Sequence, residues 1–217
     1  MSSYLPVYNK LFKCSDVYST RPFKAGIEAK VGIEAAFDYS CALLRGDIKP
    51  SEPLEARHLR GTHTPSLVIY TGFSLLLHDS IIETFIQQQI TGWESFPVTL
   101  YGKKDELIPN YSGISITGRC NPVDYYRSKI VLKEPPGVIR SHQCFKGTYF
   151  KDDVWDGTDL FMDNADKRGY TLHQYVSERV KNIFDTNKIK NLEFTNLTET
   201  ETDVMHIPKE RRPEHLR

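Results

Sequence analysis

Leu77–Thr99 reads LHDSIIETFIQQQITGWESFPVT, and Val176–Thr198 reads VSERVKNIFDTNKIKNLEFTNLT. Shifted by 99 positions, the stretches lay Phe85 on Phe184, Ile90 on Ile189, Glu94 on Glu193 and Thr99 on Thr198. Leu77 falls on Val176, Ile81 on Val180, Trp93 on Leu192 and Val98 on Leu197. Chance gives about one or two identities over such a stretch at roughly 6% per position, so the shared apolar phase is the stronger signal. Val176, Val180, Ile183 and Phe184 occupy i, i+4, i+7 and i+8, the buried stripe of a one-sided helix. Ile81, Ile82, Phe85 and Ile86 make a similar stripe. Each stretch therefore predicts a capped amphipathic helix, a tight turn and a strand. Ser80 with Glu83 has the capping-box spacing and predicts where the first helix starts. Ser177 is the expected cap of the second, with Glu178 near the positive helix end. Those caps are not equivalent, so the second helix is expected to be a turn longer. Thr91-Gly92 and Lys190-Asn191 are the expected turns. Two ordinary helix-strand units of one core and a true internal duplication both fit this pattern.

Outward from the pair, Leu67–Tyr70 is an apolar run before the first unit, and Asp159–Met162 stands likewise before the second. The expectation is one compact α+β domain over 1–217, a mixed, sheet-rich body with two similar strand-helix-strand lobes at 65–102 and 157–200. Residues 1–64 read less clearly. Phe37, Tyr39, Cys41 and Leu43 alternate with Asp38, Ser40 and Ala42, which predicts a strand. Asp47–Ser66 reads as loop, broken by Pro50, Pro53, Gly61 and Pro65. Pro97 puts the strand Trp93–Leu100 at an edge or a bulge. The middle of the chain reads as strand: Ile114 and Ile116, Lys129–Lys133, and Phe145 to Phe150 around Gly147. The last thirteen residues, 205–217, are polar with two prolines and are expected to fray.

Composition narrows the function classes. The 217 residues hold 28 Lys plus Arg and 28 Asp plus Glu, so no global field draws in nucleic acid or an anionic membrane. Cys14, Cys41, Cys120 and Cys144 form no Cys-x-x-Cys pair, and four cysteines in so long a chain do not make a secreted disulfide framework. The N-terminal MSSYLPVYNKLFKCS lacks the apolar run of a signal peptide, and no stretch approaches about 20 apolar residues. The expected location is the reducing cytoplasm.

No nucleophile elbow, Walker loop or dinucleotide fingerprint occurs. Cys120, His142 and Cys144 include a single short-spaced pair of soft ligands, short of the two pairs usual for structural zinc. Asp152, Asp153, Asp156, Asp159, Asp163 and Asp166 crowd one expected loop without EF-hand spacing. The sequence implies no cofactor and no metal. Two segments look built for a purpose. In SITGRCNPVD (115–124), Arg119 either clamps Asp124 within the chain or offers a fork to an outside carboxylate or phosphate. In KGTYFKDDVWDGTDLF (146–161), Trp155 either stands out as a binding anchor or plugs the gap between the lobes, with Gly157 turning the backbone.

GRCNPVD (118–124), KGTYFKDDVWDGTDLF (146–161) and VSERVKNIFDTNKIKNLEF (176–194) together resemble a bacterial family assigned to immunity proteins of polymorphic toxin systems, where it is the eleventh immunity family. The family's Trp-x-Gly motif is matched by Trp155-Asp156-Gly157, and its Val-Ser-Glu-Arg helix by 176–179. The likeness covers roughly 65–200. It implies a protein that binds and neutralises a cognate toxin by direct contact, with no catalysis of its own. Arg119, Asp124, Asp152, Asp153, Trp155, Asp156 and Asp159 are the candidate contact residues, with the acidic loop set against a basic toxin. The alternatives are a small hydrolase or transferase using Cys120 and His142 with Arg119 and Asp124, and a structural subunit of an assembly. The enzyme requires Cys120 exposed beside His142.

Overall fold

A computed structural model describes residues 5–16, 23–58, 66–71, 75–133, 142–164 and 173–207, with 209, 212 and 214. The first part of the chain gives α1 (Leu5–Tyr8), β1 (Leu11–Asp16), β2 (Phe23–Ala25), α2 (Ile27–Val31), α3 (Ile33–Arg45) and β3 (Leu54–His58). The first unit and its surroundings follow as β4 (Val68–Tyr70), β5 (Leu75–His78), α4 (Asp79–Gln87), β6 (Trp93–Tyr101), β7 (Leu107–Ile108), β8 (Tyr111–Ile116) and β9 (Gly118–Cys120). The rest is β10 (Lys129–Lys133), β11 (His142–Lys146), β12 (Leu160–Asp163), β13 (Gln174–Ser177), α5 (Glu178–Thr186), β14 (Leu192–Asn196) and β15 (Glu201–Asp203). The fold is α+β and sheet-rich. No helix among the described residues is long and apolar enough to cross a membrane.

The quoted stretches form the same structure at the same offset. α4 and α5 are both nine residues, preceded by His78 and Ser177 as N-caps. The chain leaves each helix through a residue at positive φ, Gln89 (52°) and Lys188 (55°). The next amide returns to the helix in both: Ile90 N–H donates to the Phe85 carbonyl (2.8 Å) and Ile189 N–H to that of Phe184 (3.0 Å). The helices are therefore equal in length, contrary to the reading from caps. His78 caps α4 because its Nδ1 accepts from the Ser80 amide at 3.2 Å, a role the Ser80–Glu83 spacing hid. Ser177 stands at the expected cap position, but its hydroxyl donates to Asp159 instead.

Each unit is a split β-α-β. β8 lies between β5 and β6 and runs antiparallel to both. β1 lies between β13 and β14 in the same manner. Ile114 and Cys14 occupy equivalent register positions, Ile114 facing Leu75 and Ser95, Cys14 facing Gln174 and Phe194. The inserted strand follows its unit in the first case and precedes it in the second, β1 standing far ahead of β13 in the sequence. The sheet around the first unit runs β2-β3-β6-β8-β5-β4 with β7 beside β6, and the second runs β14-β1-β13-β12-β9. One apolar core joins them: Leu77, Ile81, Phe85 and Ile114 with Val176, Val180, Phe184 and Cys14. At its centre the equivalent rings of Phe85 and Phe184 stack 5.9 Å apart.

Three readings of the sequence change. Phe37–Leu43 is helix, part of α3. Ala36, Ser40, Leu43 and Leu44 are its buried stripe, Phe37 is exposed, and Gly46 ends it in the left-handed region. Seven residues of alternation are too few to separate period 2 from period 3.6. Leu54–His58, inside the expected loop, is strand β3 (Gly61 and Pro65 lie outside the described residues). The Pro97 reading holds locally: β6 lies between β3 and β8 in the strand order, but Trp93–Pro97 pair with β8 alone and Val98–Tyr101 pair with β3, so Pro97 stands on a stretch paired on one side, where the strand changes partners. In the C-terminal segment Ile207 and Arg212 are buried, and the Arg212 Nε donates to the Ile207 carbonyl at 2.8 Å.

Candidate functional site

The two segments that looked purposeful are zipped to each other. Asp156 N–H donates to Arg119 O (3.1 Å), Asn121 N–H to Val154 O (2.9 Å), Lys151 N–H to Pro122 O (2.9 Å) and Asp124 N–H to Tyr149 O (2.8 Å). Past Ser128, whose hydroxyl donates to Gly147 O at 2.7 Å, the pairing passes directly into β10–β11, Lys129 facing Lys146. The result is one long irregular ribbon, 118–133 against 142–156. Phe150 and Trp155 fasten it to the outer face of the second sheet, with Phe150 5.5 Å from Tyr175 and Trp155 5.2 Å from Phe161, ring to ring. Trp155 is thus half-buried and packed, neither a free-standing anchor nor a plug between the units. Its indole N–H is buried without a hydrogen-bond partner.

A turn in unusual conformation interrupts the ribbon. Asp152 and Asp153 both have positive φ, 59° and 55°, which costs a non-glycine residue about 1–3 kcal/mol where nothing local compensates. The compensation is visible. Tyr8, 3% exposed, donates its hydroxyl to Asp153 at 2.9 Å and accepts from the Phe150 amide at 3.0 Å. Arg127 pairs with the same carboxylate and lies 5.0 Å over the Tyr149 ring. Burial, joined by the Asp153 carboxylate, pushes the Tyr8 hydroxyl well above the ordinary tyrosine range. The turn is held rigid from beneath. Beside it Val123, Asp124, Tyr125, Tyr126 and Lys151 line an open cleft of about 430 Å³. Tyr126 is 65% exposed and Val154 50%.

Most of the expected contact residues work inside the fold. Arg119 does not clamp Asp124: its guanidinium caps the carbonyls of Ile116, Gly118 and Arg45, at 2.7, 2.8 and 2.5 Å. Asp124 instead accepts from the Tyr126 amide at 3.0 Å and borders the cleft. Asp156 closes the Trp-x-Gly turn, accepting from Arg119 N, Thr158 N and the Thr158 hydroxyl, while Gly157 takes a φ of 81° that only glycine adopts freely. Asp159, 5% exposed, ties the units together. It accepts from Thr91 N–H (3.1 Å) on one side and from Ser177 (2.7 Å) and Arg179 (2.9 Å) on the other. Asp163 is buried in β12, and Asp166 lies outside the described residues. The acidic loop is therefore a smaller negative face than its six carboxylates suggest: Asp152 and Asp156 are exposed, Asp156 while serving as a local acceptor, whereas Asp153 is half-buried and Asp159 and Asp163 are buried.

The geometry the enzyme reading needs is not met. Cys120 is 2% exposed on β9, its Sγ directed to the Met162 carbonyl at 3.4 Å. Burial, with Asp163 and Asp156 nearby, holds the thiol far above its ordinary pKa, so it is kept as the un-ionised form. His142 stands in a different sheet, its Nε2 3.6 Å from Asp203. Cys144 is buried too, and no group of metal-ligating residues occurs among the described residues. Sequence reasoning missed Tyr8, Tyr126, Arg127 and Lys151. Tyr125-Tyr126, separated by two residues from the Asn121-Pro122 turn, was an available signal, whereas nothing in the first ten residues pointed to Tyr8. Compared with known proteins, the chain matches no family model and no curated protein.

Proposed function

We propose that this chain is a protein-binding module of the immunity type, which neutralises a cognate bacterial toxin by covering it, and that the ribbon is its contact face. The carrying observation is that two separate segments bearing the family likeness, 118–124 and 146–161, are hydrogen-bonded into one ribbon, with Tyr126 exposed in the lining of an open cleft and Val154 exposed on the same ribbon. Inhibition by contact asks for a pre-organised surface with aromatic and apolar projections, since ordering a loose loop would cost affinity. The Tyr8–Asp153–Arg127 clasp supplies that order. The face is mixed in charge, with Lys151 next to Asp152 and Asp124, so shape and apolar contact decide the partner more than net charge does.

The test is capture of the partner by the tagged chain from its native host, followed by affinity measurement with Tyr126→Ala and Val154→Asp. Both positions are exposed, so both variants should keep the parental melting temperature. The expected result is one stoichiometric partner and a loss of at least tenfold in affinity for each variant, as for truncated interface residues at a contact centre. A captured partner whose affinity is unchanged in both variants would move the contact face off the ribbon. Absence of any partner when the genes flanking this one in its host are co-expressed would remove the immunity reading itself.

A further inference from the structure

Where the ribbon continues into the three-stranded sheet β10-β11-β15, it leaves an open edge. β10 pairs with β11 on one side and, among the described residues, with nothing on the other. Its unpaired backbone groups are a template for another extended chain. Side chains alternate along it. Ile130 and Leu132 stand on the same face as the partner residue Phe145 and are 41% and 63% exposed. Lys129, Val131 and Lys133 point the other way, and Lys133 Nζ lies 2.6 Å from Glu201. An edge protected against association carries charge or proline along its length and keeps large apolar groups off the rim. Here the lysines stand only at the two ends, with exposed Ile and Leu between them.

Charge decides the occupant. A second copy, paired antiparallel so that Ile130 lies beside the copy's Leu132, puts Lys129 opposite Lys133 at both ends. Like charges directly opposite one another destabilise a strand pair, whereas opposite charges support it. We infer that the free edge of β10 accepts an extended segment of the partner protein with the pattern acidic, apolar, any, apolar, acidic, added as an antiparallel strand. Its carboxylates face Lys129 and Lys133, and its apolar side chains lie beside Ile130 and Leu132. Main-chain hydrogen bonds give the affinity and the alternating side chains the selectivity. Lys133 is shared with Glu201, so Lys129 is the sharper determinant. The inference rests on the protein-binding reading above and extends its face from the ribbon to the sheet edge.

The experiment uses the full chain and the labelled peptide Gly-Ser-Glu-Val-Thr-Val-Asp-Ser-Gly, with a control peptide carrying Lys at both acidic positions. Binding is read by fluorescence anisotropy and by amide hydrogen exchange. The acidic peptide is expected to slow exchange within 129–133 and to bind about tenfold more tightly than the control, two cross-strand charge pairs being reversed. Lys129→Glu should erase most of that preference, and Leu132→Ser, at an exposed position, should weaken both peptides. No protection of 129–133 at millimolar peptide, or equal binding of the two peptides, overturns the inference. Concentration-dependent protection of β10 without peptide also overturns it and assigns the edge to a second copy. The probe is synthetic, so failure here leaves capture of a partner by the ribbon standing. Failure of capture with the peptide result intact would remove the toxin and not the edge.

Discussion

Truncating Phe184 to alanine tests whether the two units share one core. The ring is 1% exposed, stacks on Phe85 at 5.9 Å and meets Phe194 at 5.8 Å. Deleting a buried phenyl ring costs about 3–5 kcal/mol through lost transfer energy and the cavity left behind. The position has little room to collapse, because Val180 and Ile183 from α5 and Ile81 and Phe85 from α4 crowd the same core. Phe85→Ala should cost about as much by the same mechanism, Phe85 being fully buried. The double variant should lose less than the sum by about 0.5–1.5 kcal/mol, the worth of the aromatic pair itself. In a chain of this size a loss of 3–5 kcal/mol lowers Tm by roughly 6–20 °C. The assay is urea unfolding followed by tryptophan fluorescence and far-UV circular dichroism, whose transitions should coincide. A loss below about 1 kcal/mol for Phe184→Ala would refute burial of the ring, since that is less than the range for any core phenyl. Strict additivity of the two variants with separate transitions would refute the shared core.

Three further outcomes follow from the clasps and the buried thiol. Asp159→Ala should cost about 1–3 kcal/mol, because the Thr91 amide and the Ser177 hydroxyl, both at part-buried bonds, lose their acceptor while Arg179 loses its partner; a change under about 1 kcal/mol in urea unfolding would mean that water replaces the carboxylate. Tyr8→Phe keeps the ring but strands the Phe150 amide and leaves Asp153 with Arg127 alone, so a loss of about 1–3 kcal/mol is expected, with faster amide exchange at 150–153; unchanged exchange would show that the turn holds itself. The thiol of Cys120 has a raised pKa in the fold, so below about pH 8.5 both states keep the proton, and above it only the unfolded state releases it. Stability should therefore fall above that pH by about 1.4 kcal/mol per unit on account of this group, and Cys120→Ala should flatten the decline between pH 8 and 10; parallel declines in the two proteins would sink the assignment.

The helix-turn-strand units were legible because they are local. An apolar stripe at 3.6 spacing and a cap are written within about twenty consecutive residues, and α4 and α5 appear where that stripe stands. What completes each unit is not local. β1 reaches the second unit across more than 150 residues, and nothing in Leu11–Asp16 names its partners. Period also fails when it is sampled too briefly. Phe37–Leu43 fits alternation and helix alike, and α3 wins because its stripe packs against β8, where the Ser115 hydroxyl donates to the Leu43 carbonyl at 2.6 Å. The end of a helix was likewise misread from side chains. His78 caps α4 through a ring nitrogen, which no list of favoured capping residues would select.

The site was half legible, for a related reason. Motifs mark where a sequence is unusual, and unusual residues serve the turn that carries them at least as often as they serve a ligand. Asp156 and Gly157 make the Trp-x-Gly turn, Trp155 and Phe150 fasten it, and Asp159 holds the units together, so the residues most easily noticed are those a ligand would touch least. The groups left facing outward, Tyr126, Val154, Ile130 and Leu132, are ordinary in type and carry no pattern. They stand out only through being exposed along one ribbon, because single exposed apolar residues are common, as Phe37, Ile86 and Leu107 show elsewhere in the chain. A catalytic site announces itself through chemistry that few residue types can perform. A contact face uses the same residues as a core, and what sets it apart is the direction in which they point.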